Sequence, residues 1–572
     1  MWRFILICLI AGSTFGLRAQ FQGNQTPTYP KLVAFYDSLA RQHPQVELYA
    51  VGASDYGELP IYLCVLNGAQ DSLRTFEKAR SGTTLLINNG IHPGEPDGIN
   101  ACGQLVLDYL ENPKRYPTHT VIAFVLCYNV GGAMNRSSTS RANQDGPVEY
   151  GFRGNTQNLD LNRDFIKMDA ENTFAFARIF HALDPDVMVD THVSNGADYQ
   201  YTLTLIHSMA ERMAPAIRHI TYDHLKPALE KTLLKKKLDL APYMELRGET
   251  PEKGIEGFND LPRYSMGYAS LFHAISITTE THMLKPFETR VAATKIYLDA
   301  LLDWMAQNSP AIENARTEAR YFAAKRRMYA FNYRLSEVSE PLLFKGYEAV
   351  HPQSKVTGTD RLHYDRKQPY TRAIPYFNQY IAQDSVRIPA FYIVGAQCRE
   401  VIERLKAQDV TFEVQQRDTL FAVTIVRVHD YKQGERPYEG HYLHREVKYT
   451  EEEAEVSLKK GDLWIPTDQA RSNFIVSVLE PAAEDSYFAW NFFDSYLQQK
   501  EYFSAYVFED IAAELLAKDP DLKRRLQEKQ AADPEFRKST WDQLYFVYQN
   551  SPYFEPTFHR LPVFKIYGSD KQ

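Results

Sequence analysis

His92 and Glu95 stand three residues apart in Ile91–His92–Pro93–Gly94–Glu95. An imidazole and a carboxylate at that spacing can share a divalent metal. A third donor, His192, follows the strand-like run Asp186–Val189 and precedes the turn residues Ser194, Asn195 and Gly196. Two histidines and a glutamate are one donor set of catalytic zinc, which leaves a fourth position for water. The metal brings the pKa of that water toward neutrality and polarises a carbonyl. Such chemistry needs a general base. Glu280, closing the apolar run Ile277–Thr278–Thr279, is the candidate, and His282 is an alternative ligand ranked below His192. Each residue alone also fits a plainer role: a turn histidine, a solvated glutamate, a strand-end carboxylate. The combination is what points to a metal site.

The long polar stretch that begins at Asn129 carries Arg136, Arg141, Arg153 and Arg163. A charge-rich loop is commonly just solvated. Guanidinium groups also bind carboxylates bidentately and stabilise oxyanions. Asp160–Leu161–Asn162–Arg163 brings an acid, an amide and a guanidinium together within four residues.

These side chains need a frame. Leu85–Leu86–Ile87 reads as a buried strand, and apolar residues from Ile99 to Leu110 recur with helical spacing. The His92–Glu95 pair therefore falls on a turn after a strand, where open α/β sheets bind ligands. Further strands are expected at Glu47–Val51, Ile61–Leu66, Val121–Tyr128, Tyr201–Ile206 and Ala274–Thr279, with helices at Leu32–Arg41, Phe174–Leu183 and Val291–Met305. This alternation predicts an α/β domain with a mixed, largely parallel, doubly wound sheet over residues 20–310. A charged helical connector, 311–330, and a separate α+β accessory domain, 331–572, would follow. Asp519–Pro520 and Asp533–Pro534 are helix-start signals in that last part.

The chain has 572 residues, room for two or more domains, and is 44% hydrophobic and 24% charged, as globular proteins are. A net charge of −8 without a basic stripe excludes a nucleic-acid partner. Residues 1–19 read as a signal peptide: Arg3, the apolar run Phe4–Ile10, the small residues Ala11, Gly12 and Ser13, and Ala19 before a plausible cut at Gln20. That run is too short to span a bilayer, so a secreted or periplasmic protein with no membrane span is expected. Cys64, Cys102, Cys127 and Cys398 remain after cleavage; in an oxidising compartment they could pair, and isolated buried thiols are the plainer reading.

The ordered series His92-x-x-Glu95, Gly151–Phe152–Arg153, Asp160–Leu161–Asn162–Arg163–Asp164, His192 and Glu280 resembles the zinc carboxypeptidases, or funnelins, over roughly residues 30–305. The resemblance implies that His92, Glu95 and His192 hold one zinc ion per chain. It makes Asp160 the partner that orients His92 and assigns Arg153 to the oxyanion. Asn162 and Arg163 would take the substrate's terminal carboxylate, and Glu280 would move the proton. Tyr264 and Tyr268 are both candidates for the family's mobile tyrosine. The series departs at Gly94, where the family commonly carries arginine.

The expectation is zinc-dependent hydrolysis of a C-terminal peptide bond. The substrate would be a peptide, or an acyl amino acid, with a free carboxylate. The rivals are an N-acyl amino acid deacylase on the same fold and a catalytically silent binding protein.

Overall fold

The structure is a computed structural model and describes residues 18–66, 82–117 and 119–568. The expected signal peptide lies outside the described residues except for its last two, Arg18 and Ala19. Among the described residues no helix is long and apolar enough to cross a membrane.

An eight-stranded sheet forms the centre. From edge to edge it runs Val46–Ser54, Gly57–Leu66, Thr120–Val125, Thr83–Asn89, Val187–Ser194, Ile275–His282, Leu203–His207 and Leu240–Pro242. Thr83–Asn89 lies parallel to both of its neighbours, and Val187–Ser194 lies parallel to Ile275–His282. Antiparallel pairings flank this parallel core on both sides. The sheet is therefore mixed, with helices packed against it. Every residue of Thr83–Asn89, Thr120–Val125 and Val187–Ser194 is buried. Such unbroken burial explains why these strands read as continuous apolar runs rather than alternating ones.

Alternation still decides which side chains reach which face. Thr191 packs against the helix Asp97–Glu111: its hydroxyl donates to Asn89, and a Cβ on Gly98 would lie 2.1 Å from its Oγ1. Glycine at position 98 is what lets the helix come that close. The flanking Asp190 and His192 point the other way, and Asp190 accepts a hydrogen bond from Ser265, the first residue of the helix Ser265–Leu271.

The connector takes a different form from the one expected. Val291–Met305 and the charged stretch after Ala311 are parts of one 39-residue helix, Phe287–Lys325, with Pro310 inside it. The C-terminal half is not a separate body either. Glu245–Leu246 and Ile255–Glu256 share a four-stranded sheet with Glu340–Val350 and His363–Phe377. One apolar core runs from Leu85 and Ile277 through to Tyr392, Phe474 and Trp490, with Phe272 stacked on Phe474 at 5.4 Å. A six-stranded sheet and a cluster of helices complete this half. Asp519 and Asp533 cap two of those helices by accepting from backbone N–H groups of the first turn.

The four cysteines of the described residues are free thiols; Cys64, Cys102 and Cys127 are buried.

Candidate metal centre and active site

His92, Pro93, Gly94 and Glu95 form a tight turn closed by the Glu95 N–H donating to the His92 carbonyl at 2.8 Å. Proline at its second position suits the φ such a turn requires. The turn follows directly on the carboxyl end of Thr83–Asn89 and aims His92 and Glu95 at the carboxyl end of the next strand, where His192 sits. Donor atoms of His92, Glu95 and His192 lie within 4.8 Å of one another, and all three residues are buried.

The orientation of the rings is the telling feature. His92 Nδ1 lies 3.3 Å from Glu95 Oε1, and His192 Nδ1 lies 3.0 Å from Glu95 Oε2. The opposite nitrogens turn outward: His92 Nε2 pairs with Asp160 Oδ1 at 3.0 Å, and His192 Nε2 with Asp190 Oδ2 at 2.9 Å. A carboxylate on one ring nitrogen fixes the proton there and leaves the other nitrogen's lone pair for a metal. Both histidines meet that condition, so the donor set fits zinc. The electrostatics agree. Burial would lower the pKa of His192, yet Asp190 and Glu95 hold it well above its ordinary value. Surroundings that pull so hard on a proton also favour a cation.

Glu95 is held by more than the histidines. Arg141 Nη1 donates to Oε1 at 2.8 Å, and the Val193 N–H donates to Oε2 at 3.0 Å. Burial opposes its charge, but Arg141, His92 and His192 keep the carboxyl well below the usual range. Arg141 reaches it across Gly94, where a Cβ would sit 2.7 Å from Arg141 Cδ. The departure from the funnelin series at Gly94 thus makes room for an arginine arriving from the loop.

Arg153 binds Asp160 Oδ2 through Nε and Nη2, at 3.1 and 2.9 Å. Its Nη1 lies 3.4 Å from His92 Nδ1, and the side chain is about half exposed. Asp160 therefore spans His92 and Arg153, and His92, Arg153 and Arg163 hold its carboxyl well below the usual range against the opposing effect of burial. Asn162 accepts from the Ser265 N–H at 3.0 Å, which leaves its NH₂ as the end able to donate to a ligand. The Arg163 guanidinium stands over the Tyr264 ring at 4.6 Å.

Glu280 is the direct register partner of His192 on the adjacent parallel strand. Burial, with Glu95 and Asp190 nearby, pushes its pKa up to about 8. His92, Glu95, His192, Arg153 and Glu280 line one cleft of ≈ 390 Å³. Asn162, Arg163 and Tyr264 line it too, as do Ile206, Tyr243, Phe258 and Met266.

Two candidates fall elsewhere. Tyr268 is buried and donates to Gln408 at 2.5 Å, so of the two candidate tyrosines it is Tyr264 that lines the cleft. His282 stacks on Tyr199 at 4.1 Å and faces Asp198, apart from the three-donor cluster. Asp190 and Arg141 are contacts that the sequence reading did not assign. For Asp190 the signal was present: two residues before His192 on a strand, it must share its face.

No family model matches the chain, and no curated protein matches it. Metallo-carboxypeptidases are among the solved structures that it is similar to. One, from Pseudomonas aeruginosa in complex with (2-guanidinoethylmercapto)succinic acid, is 16% identical, with 49% of this chain and 68% of that chain covered and a TM-score of 0.35. A metallo-carboxypeptidase from Burkholderia cenocepacia is 17% identical over 48% of this chain and 69% of its own, with a TM-score of 0.36. Bovine thrombin-activatable fibrinolysis inhibitor is 13% identical over 51% and 99%, with a TM-score of 0.37.

Proposed function

We propose that the chain is a zinc metallocarboxypeptidase that hydrolyses the C-terminal peptide bond of substrates with a free carboxylate. The observation that carries this reading is the convergence of two carboxylate-braced histidines on Glu95, in one cleft with Glu280 and Arg163. The leader read in residues 1–19 would send the enzyme out of the cytoplasm.

His92, Glu95 and His192 would hold the ion, which supplies Lewis acidity for activating water and polarising the scissile carbonyl. Arg163 and the Asn162 amide would grip the terminal carboxylate. The Tyr264 ring keeps the guanidinium in place from below, through cation–π contact. Arg153, whose Nη1 lies 3.4 Å from His92 Nδ1, would donate to the negative oxygen that forms on the scissile carbonyl. Glu280 would accept a proton from the attacking water and return it to the leaving amine.

The test is mass spectrometry of products from three substrates: a peptide, its C-terminally amidated twin, and an N-acyl amino acid. Release of the last residue from the free peptide alone is expected. Cleavage confined to the N-acyl amino acid would make the protein a deacylase, and no turnover of any zinc-loaded sample would return it to the silent-binder reading.

A further inference from the structure

The C-terminal half sends a long hairpin, Thr419–Gln433 and His444–Leu458, toward the metal centre. At its tip Tyr438 and His441 exchange backbone hydrogen bonds of 2.7 and 3.1 Å. Glu439 and Gly440 between them both have positive φ, 50° and 84°. That is the backbone of a two-residue turn which favours Asn-Gly or Asp-Gly. Glutamate is a poor choice for the left-handed position on conformational grounds, and a side chain kept there against preference invites a functional reading.

Glu439 uses that position to accept a hydrogen bond from the Asp160 N–H, at 2.8 Å, across 279 residues of sequence. The tip is pinned around this contact. His441 Nε2 meets Asp169 Oδ2 at 2.8 Å. The Arg263 guanidinium lies 5.5 Å from the Tyr438 ring and 5.0 Å from the Trp490 ring. Asp485 accepts from the Arg263 N–H at 2.9 Å and from its Nε at 2.8 Å, beside Tyr264 of the cleft. The C-terminal half thus holds the chain at residues 160, 169 and 263, next to Asn162, Arg163 and Tyr264 of the cleft.

We propose that Glu439 is a positioning residue of the metal centre. It fixes the main chain of Asp160, whose Oδ1 orients the His92 ring and whose Oδ2 holds Arg153. The proposal rests on the metal-site reading above and gives the C-terminal half a role in it: the ligand geometry is completed from a segment far outside the funnelin-like series. What Glu439 contributes is an acceptor oxygen at the right reach, and its negative charge next to Asp160 is incidental.

Glu439→Gln, Glu439→Asp and Glu439→Ala separate reach from charge. Glutamine keeps an acceptor oxygen at the same length without the charge. Aspartate keeps the charge one methylene too short. Zinc affinity is read by competition with a chromophoric chelator, with His92→Ala measured in parallel and melting of each metal-free protein as the check on folding. Wild-type affinity is expected for Glu439→Gln. A loss of roughly tenfold, the low end for an outer partner of a metal ligand, is expected for Glu439→Asp and Glu439→Ala, with kcat/KM falling alongside. If Glu439→Ala does not fold, the Asp–Gln pair carries the comparison. Full affinity in Glu439→Asp, while His92→Ala has lost zinc, overturns the positioning role and leaves the metal site standing. Undiminished zinc affinity in His92→Ala overturns the metal-site reading itself.

Discussion

Glu280 lies directly opposite His192 in two adjacent parallel strands, Ile275–His282 and Val187–Ser194. Neighbouring strands sit about 4.8 Å apart, and side chains at paired positions share a face. The proposed metal ligand and the proposed proton acceptor are thereby held side by side by sheet hydrogen bonds. Their separation is set by strand geometry and does not depend on the conformation of a loop.

That placement predicts separable roles. Glu280→Gln should retain zinc at full stoichiometry, because residue 280 is not among the three donors. Turnover should drop by about 10²–10⁴-fold, the usual contribution of a general acid–base group. Metal analysis and kcat on one preparation check both halves; lost zinc would instead place Glu280 among the ligands.

Asp190 should matter through His192. Its Oδ2 accepts from the ring Nε2 and from the Ser265 hydroxyl. Asp190→Asn removes the anionic partner and should weaken zinc binding by about 10–100-fold. Chelator competition measures this, and Thr191→Ser, on the opposite face of the same strand, serves as the control with unchanged affinity.

Arg163 stands in the cleft over Tyr264, with Nη1 donating to the Asn162 carbonyl at 2.9 Å and lying 3.8 Å from Asp160 Oδ2. Arg163→Ala should raise KM for free-carboxylate peptides, costing about 1.5–3 kcal/mol of charge-assisted hydrogen bonding. kcat should move little by comparison. An unchanged KM in steady-state assays would count against its assignment.

Stability should fall in acid through His273. This histidine is buried; burial first, then Arg316, Arg320 and Arg326, lower its pKa from 6.5 to about 3. The unfolded state then binds more protons between those values, so stability is full above pH 6.5 and declines as pH falls toward 3. The slope is about 1.4 kcal/mol per pH unit. His273 has φ 64°, which asparagine tolerates. Urea unfolding should therefore show His273→Asn escaping roughly 2 kcal/mol of the wild-type loss between pH 6.5 and pH 5.

The parts legible in the sequence were those with local signatures. Thr83–Asn89 and its neighbours announced themselves as apolar runs because both of their faces are covered. The His92–Glu95 spacing survives into the structure because a four-residue turn is a local object. The single helix Phe287–Lys325 was hidden by Pro310, a residue that reads as a helix boundary although the helix runs through it. The shared sheet was hidden for another reason. Ile255–Glu256 pairs with Tyr376–Phe377, and so brief a pairing leaves no periodicity to read. Glu439 was out of reach altogether, since a single carboxylate gains its meaning only when a distant hairpin folds onto Asp160.

The central claim is that His92, Glu95 and His192 bind one metal ion together. X-ray absorption at the zinc edge, on protein stripped and reloaded with zinc, tests it most directly. One zinc per chain is predicted, with a nitrogen and oxygen shell at about 2.0–2.2 Å and no sulfur, and with binding lost in His92→Ala and in His192→Ala. A sulfur shell near 2.3 Å, or zinc retained at full occupancy in both variants, would contradict the account.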